Sequence, residues 1–142
     1  VDTIDVYGAD KLKGVDIVTK PYPGFATDLQ QPLTVLMTQA EGESHVKDTL
    51  YPERFKHCQE LEKMGAVIEV SSGESEIKGP TPLTGAEVQA SDLRCGAAMV
   101  VAGLIGDGVT TISNVYHIDR GYSELDSKLK NLGANIWREM GE

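Results

Sequence analysis

The chain has 142 residues, of which 40% are hydrophobic and 25% charged, a composition typical of one globular domain with its own core. Its formal net charge of −9 excludes a general affinity for nucleic acid or for an anionic membrane, because both need a basic surface. Two cysteines are too few for a disulfide framework, so we expect a reducing compartment, the cytoplasm.

Turn residues, caps and hydrophobic period predict regular elements along most of the chain. Pro21 and Gly24 break the backbone, and Thr27 is predicted to cap a helix that runs to about Ala40. The other predicted elements are strands over 4–7, 15–18, 45–50, 66–70, 74–79, 86–90 and 109–115, and helices over 53–64, over 93–105 and before Gly133. The longest apolar run, 95–105, is too short for a membrane span, which needs about 20 residues.

The chain repeats itself, with one unit over about 20–90 and a second over 91–142. In each unit a hydroxyl residue and an aspartate open an apolar helix, and an arginine follows the next strand. Corresponding residues of the two units lie 64, 66 and 68 positions apart: Asp28 and Asp92, Arg54 and Arg120, Gly65 and Gly133. Equivalent loops of repeats gather on one face, so these positions are candidates for one site.

Polarity is distributed unusually between the predicted elements. The helix over 93–105 is apolar on every face, which predicts that it is buried all round. The strands over 45–50 and 74–79 alternate instead, so each has one solvated face. In most α/β proteins the parallel sheet is the buried layer. We therefore expect the reverse order here, with buried helices at the centre and mixed sheets outside.

Charged residues at the helix starts are the first candidates for function. Arg94 lies in the first turn of a predicted helix, where a cation opposes the helix dipole, and a residue kept at that cost often has a ligand. The alternative is structural. Asp28 and Asp92 are then first-turn carboxylates that support the caps, and the arginines are solvated or paired side chains.

The cysteines allow two interpretations. Cys95 follows Arg94 near a helix start, where a thiolate can be stabilised as a nucleophile. We favour a small buried residue on an apolar helix, because free cysteine is commonly buried. Cys58 follows His57, but no second Cys or His pair has the spacing of metal ligands. We predict no metal and no cofactor.

Specific segments follow one another from about Val15 to the end of the chain. They are PYPGFATDLQ at 21–30, QAEG at 39–42, ERF at 53–55, LTG at 83–85, DLR at 92–94 and HIDRGY at 117–122. In this order they resemble the C-terminal third of the UDP-N-acetylglucosamine enolpyruvyl (carboxyvinyl) transferase family of peptidoglycan synthesis. The resemblance implies an inside-out α/β barrel in which each domain has three similar units. This chain would supply two of them.

The resemblance also implies a reaction and a set of residues. The enolpyruvyl group of phosphoenolpyruvate is transferred to the 3-hydroxyl of UDP-N-acetylglucosamine, and phosphate is released. Asp28 matches the proposed base, which contacts that hydroxyl. Arg54, Arg94 and Arg120 match arginines of the active-site face, where guanidinium pairs with phosphate or carboxylate. Leu50 matches a position that touches the nucleotide sugar, and its alternative is a core residue at a strand end.

Asp28, Arg94 and Arg120 are thus the predicted catalytic residues, with Leu50 and Arg54 added for substrate binding. The family's mobile loop with its reactive cysteine, a lysine and further phosphate-binding arginines fall in regions that this chain lacks. We therefore expect the N-terminal part of the same enzyme as its partner, and no turnover from the isolated chain.

Three alternatives stay open. The first is a related transferase acting on shikimate 3-phosphate, although the YPGF and HIDRGY segments point away from it. The second is a non-catalytic module that binds a sugar nucleotide. The third is a structural fragment that associates with a second copy through its strand edges and apolar surface.

Overall fold

The computed structural model describes residues 2–140, which form two sheets and a set of packed helices. The strands are β1 (Asp16–Val18), β2 (Gly42–Lys47), β3 (Val67–Ser71), β4 (Glu74–Gly79), β5 (Glu87–Gln89) and β6 (Thr111–Ser113). The helices are α1 (Gln30–Met37), α2 (Lys56–Lys63), α3 (Leu93–Ile105), α4 (Tyr116–Asp119) and α5 (Leu125–Asn131). A 3₁₀ turn over Thr27–Leu29 leads into α1.

The two sheets are built on parallel pairs. The larger sheet has the strand order β1-β2-β4-β3, in which β1 and β2 are parallel and the other neighbours antiparallel. The smaller sheet is the parallel pair β5 and β6. Parallel neighbours need a crossover connection, and α1 supplies it in the first pair and α3 in the second. These two crossover helices pack against each other.

The larger sheet has one buried and one solvated face, as predicted. Val46, Ile68 and Ile77 point into the main core, where Ile77 is fully buried. The neighbouring Lys78 points the other way and is exposed. Because side chains alternate across a strand, one apolar face is enough to hold the sheet on the helices. The α/β class and the mixed sheet are therefore confirmed.

Helix α3 is buried on one side only, so the prediction of all-round burial is wrong for the described residues. Cys95, Ala98 and Met99 are fully buried against α1 and α2. Among the apolar residues further along, Val101 is 40% and Ile105 48% exposed. The sequence pattern reported correctly that this helix has no polar face, but burial also depends on what packs beside it.

Several predicted boundaries differ from those observed. The strand over 4–7 is wrong, since that segment has no regular structure and its apolar side chains are exposed. The predicted strand over 109–115 is shorter in the structure, where only β6 (Thr111–Ser113) is a strand. Gly108 and Asn114, on either side of it, have positive φ angles that an extended strand does not allow. The prediction missed α4. None of the helices in the described part of the chain has the length and apolarity that a membrane crossing needs.

The predicted hydroxyl caps are also wrong. Thr27 begins the 3₁₀ turn, whose start has no side-chain cap, and its hydroxyl donates to the Asp48 carboxylate. At α3 the cap is Asp92, whose Oδ1 accepts the backbone N–H groups of Arg94 (2.8 Å) and Cys95 (3.0 Å). A carboxylate in this position accepts two helix-start donors that would otherwise be unpaired.

Candidate functional site

Three of the predicted residues meet at the starts of the two crossover helices. Asp28 lies in the 3₁₀ turn before α1, and its Oδ1 is 2.5 Å from Arg94 Nε. The same oxygen lies 3.6 Å from Arg54 Nη1. We call Asp28, Arg54 and Arg94 the Asp28 cluster. Its carboxylate is 64% exposed, so the cluster opens to solvent and to any ligand.

Arg54 is held on three sides. Its Nη1 donates to Thr27 Oγ1 at 3.3 Å, and its guanidinium carbon lies 3.6 Å from the centroid of the Tyr51 ring. Gln30, buried at the start of α1, donates from Nε2 to the Arg54 carbonyl at 3.2 Å. The stacking on Tyr51 and the bond to Thr27 restrict the side chain, and the bond from Gln30 holds the backbone. The guanidinium is therefore fixed beside Asp28.

Arg94, a cation in the first turn of α3, is paired with the carboxylate of Asp28. As the second residue of α3 it lies where the helix dipole repels a cation, and the Asp28 carboxylate offsets this repulsion. The pair is exposed enough that it adds little to folding stability. A contribution to stability therefore does not account for a cation at this position.

Leu50 and Arg120 make no hydrogen bond or ion pair with the cluster through their side chains among residues 2–140. Leu50 follows β2 and is 39% exposed, which contradicts its interpretation as a core residue. Arg120 follows α4 and is exposed. A Cβ at Gly121 would lie 2.7 Å from Leu93 Cδ1, so the Arg120 backbone passes close to the start of α3. Only the absence of a side chain allows that approach.

The cysteines are not exposed nucleophiles. Burial raises the pKa of the Cys95 thiol, which is fully buried, as we predicted. Burial also raises the pKa of Cys58 to about 12. Its neighbour His57 is fully buried, and burial lowers the pKa of the imidazole to about 4. Residues 2–140 contain no group of three or more His, Cys, Asp and Glu side chains placed to hold a metal.

Sequence reasoning missed two residues that organise this region. Asp48 is buried beneath the cluster, and the alternation that places Val46 inward could have placed Asp48 inward as well. Arg138 reaches back to α4, where its Nη atoms donate to both Asp119 carboxylate oxygens at 2.9 Å. It also donates to Asp126 at 3.0 Å. No sequence signal linked this exposed arginine to residues so far away in the chain.

Comparison with known proteins shows which family the chain belongs to. Residues 1–129 match the sequence profile of the family described as EPSP synthase (3-phosphoshikimate 1-carboxyvinyltransferase). The chain belongs to this family. Among solved structures, the enolpyruvyl transferase NikO from Streptomyces tendae superposes with a TM-score of 0.87 at 31% identity, over 94% of this chain and 31% of its own. EPSP synthase from Acinetobacter baumannii, at 16% identity and a TM-score of 0.55, shares the fold alone.

Curated relatives within the family are more similar in sequence. UDP-N-acetylglucosamine 1-carboxyvinyltransferase 2 of Shouchella clausii is 55% identical over 138 residues, which are 97% of this chain and 32% of the relative. The enzyme of the same name from Bacillus subtilis is 58% identical over 134 residues, 94% of this chain and 31% of the relative. The chain thus spans about a third of the length of these relatives.

Proposed function

We propose that the chain is the C-terminal third of an enolpyruvyl transferase that acts on UDP-N-acetylglucosamine in peptidoglycan precursor synthesis. The observation that carries the proposal is the Asp28 cluster, an exposed carboxylate beside two guanidiniums. The names of relatives that are 55–58% identical support the choice of acceptor. Two free, buried cysteines suit the reducing cytoplasm in which this bacterial pathway would operate.

In the proposed reaction the 3-hydroxyl oxygen of the sugar bonds to C2 of phosphoenolpyruvate, whose C3 gains a proton. The C2–O bond to phosphate then breaks, C3 loses a proton, and the enolpyruvyl ether and phosphate are the products. Asp28 takes the hydroxyl proton as general base. Arg54, Arg94 and Arg120 bind the anionic groups of the substrates, and the exposed Leu50 contacts the nucleotide sugar.

Arg94 can serve both Asp28 and a substrate anion. Its Nε donates to Asp28, while neither Nη atom has a hydrogen bond within residues 2–140. A guanidinium offers five N–H donors in a rigid fork, so the remaining edge is free for a phosphate or carboxylate. Asp28 and the bound substrate anion would then lie on adjacent edges of the Arg94 guanidinium. This arrangement would place the Asp28 carboxylate next to phosphoenolpyruvate.

The wider architecture forms part of the proposal. The two helix-crossed parallel pairs would be two repeated units of an inside-out barrel, and a third unit would cover the open side of α3. Val101, Leu104 and Ile105 are the side chains that such a unit would bury, since they are 40–48% exposed. The N-terminal part of the enzyme would supply that unit and the catalytic cysteine loop, so the isolated chain should not turn over.

The proposal is tested by replacing the base in the complete enzyme that carries this chain. Asp28→Ala should lower phosphate release from phosphoenolpyruvate and UDP-N-acetylglucosamine by about 100- to 10,000-fold, the usual worth of a general base. Asp16→Ala is the matched control, because it removes another exposed carboxylate, which pairs with His45 and not with a member of the cluster. Circular dichroism should show both variants folded. Unchanged turnover in Asp28→Ala would contradict the assigned role.

A transferase acting on shikimate 3-phosphate is the second candidate, favoured by the name of the family profile. Supplying each acceptor with phosphoenolpyruvate and measuring phosphate release separates the two. Two non-catalytic alternatives have direct tests with the isolated chain. Calorimetric heat with UDP-N-acetylglucosamine would support a binding module, and a strictly monomeric sedimentation profile would exclude self-association.

A further inference from the structure

Asp48 is a buried carboxylate with a full set of hydrogen bonds. It lies just beyond β2 and is 1% exposed. Its Oδ1 accepts from Thr19 Oγ1 at 2.8 Å and from the backbone N–H groups of Leu50 (3.0 Å) and Tyr51 (2.8 Å). Its Oδ2 accepts from Thr27 Oγ1 at 2.5 Å. Buried charge is costly unless it is satisfied in this way.

These bonds keep Asp48 ionised. Burial alone would raise the pKa of the carboxyl, but the hydrogen bonds from Thr27, Tyr51, Thr19 and Leu50 outweigh it and lower the pKa. Hydrogen bonds to a charged acceptor are stronger than those between neutral groups. At neutral pH the junction at Asp48 is therefore made of charge-assisted hydrogen bonds.

The bonds of Asp48 join segments that carry predicted site residues. Thr27 immediately precedes Asp28, and the Thr27 hydroxyl also accepts a hydrogen bond from Arg54 Nη1. The backbone N–H of Leu50 is one of the Asp48 donors. A single buried carboxylate thus links the residue before the base with the 50–54 loop.

We propose that Asp48 is a positioning residue for the acceptor side of the site, where it holds Thr27 and the 50–54 loop together and so fixes Asp28 relative to Arg54. This inference rests on the proposed function of Asp28. Misplacing a catalytic group by about 1 Å can cost about 100-fold in rate. Loss of the Asp48 junction should therefore appear in turnover and in acceptor binding, not only in stability.

Two variants of the complete enzyme break the junction. Asp48→Asn keeps the size of the side chain but replaces the charged acceptor. Thr27→Val removes the branch from Asp48 to the residue before Asp28, together with the hydroxyl that accepts from Arg54 Nη1. Thr34→Val is the matched control, because Thr34 is a buried threonine whose hydroxyl, among residues 2–140, bonds only the Gln30 carbonyl within α1. We expect kcat to fall by about 10- to 100-fold in both test variants, with a raised KM for the sugar nucleotide. The KM for phosphoenolpyruvate and both constants of Thr34→Val should stay unchanged.

Amide hydrogen exchange provides a readout that needs no substrate. Exchange in segments 26–29 and 50–55 should accelerate in Asp48→Asn while the rest of the protein keeps its rates. A uniform acceleration, or wild-type kcat and KM per folded molecule in both test variants, would overturn the inference. If Asp48→Asn does not fold, Thr27→Val decides by the same criteria.

Failure of the proposed function gives a different result. In that case the wild-type enzyme itself releases no phosphate from phosphoenolpyruvate and UDP-N-acetylglucosamine. The exchange data then still decide whether Asp48 holds the two segments together. If the wild type is active but Asp48→Asn and Thr27→Val keep its kcat and KM, the inference about Asp48 is wrong while the proposed function still stands.

Discussion

The buried imidazole of His57 should make the stability of the protein depend on pH in a predictable window. The residue lies in α2, is fully buried, and its Nδ1 has no hydrogen-bond partner among the described residues. Burial lowers its pKa from the ordinary 6.5 to about 4. Between these values the unfolded chain binds a proton that the folded protein does not. Stability should therefore fall as pH drops through this window, and His57 should add no further loss below it.

The size of the effect follows from the shift. Each pKa unit corresponds to about 1.4 kcal/mol, so a fall from 6.5 to about 4 gives about 3 kcal/mol. His57→Gln keeps a polar side chain of similar size but cannot titrate. The difference in unfolding free energy between the wild type and His57→Gln should therefore shrink or reverse by about 3 kcal/mol between pH 7.5 and pH 4.

Urea unfolding followed by far-UV circular dichroism at several pH values measures this difference. Carboxylates that titrate in the same range are common to both proteins, so they cancel when the two curves are subtracted. A constant difference across the window would refute the reasoning, because it would mean that His57 titrates alike in the folded and unfolded states.

Two further substitutions test the geometry near the start of α3. Gly121→Ala places a Cβ 2.7 Å from Leu93 Cδ1, and should lower the unfolding free energy in urea by about 1–3 kcal/mol, whereas Gly8→Ala meets nothing within 4 Å and should be neutral. Arg94→Lys removes Nε and the guanidinium fork. In the complete enzyme it should lower kcat/KM for phosphoenolpyruvate by about 10- to 100-fold, while Lys63→Arg leaves it unchanged. Equal values for either test variant and its control would contradict the assignment.

Local pattern was sufficient to predict some of the fold. Strand β4 has the predicted bounds, because alternating residues such as Ile77 and Lys78 identify a half-buried strand without reference to the rest of the chain. The bounds of α3 also agree with the apolar run over 93–105, which is a local signal, although its cap is Asp92 and not the predicted hydroxyl residue. Both cases depend on neighbours within a few positions.

Contacts between residues far apart in the sequence could not be predicted from local pattern. Thr27 has the sequence context of a helix cap, yet its hydroxyl bonds a carboxylate 21 positions away. The Thr27 hydroxyl donates this bond to a buried carboxylate, and only the folded structure shows that Asp48 is there. For the same reason the sequence identified Asp28 and Arg94 as candidate site residues but did not predict that they pair.

The topology explains why the predicted residues lie at one end of the molecule. In a parallel strand–helix–strand unit, the start of the helix and the segments after both strands lie at the same end. Asp28 and Arg94 are at the two helix starts, and Arg54 and Arg120 follow β2 and β6. Because α1 packs beside α3, the two ends adjoin, as the Asp28–Arg94 contact shows. A third unit of this topology would bring its own helix start to the same end, where the proposed reaction needs further cations.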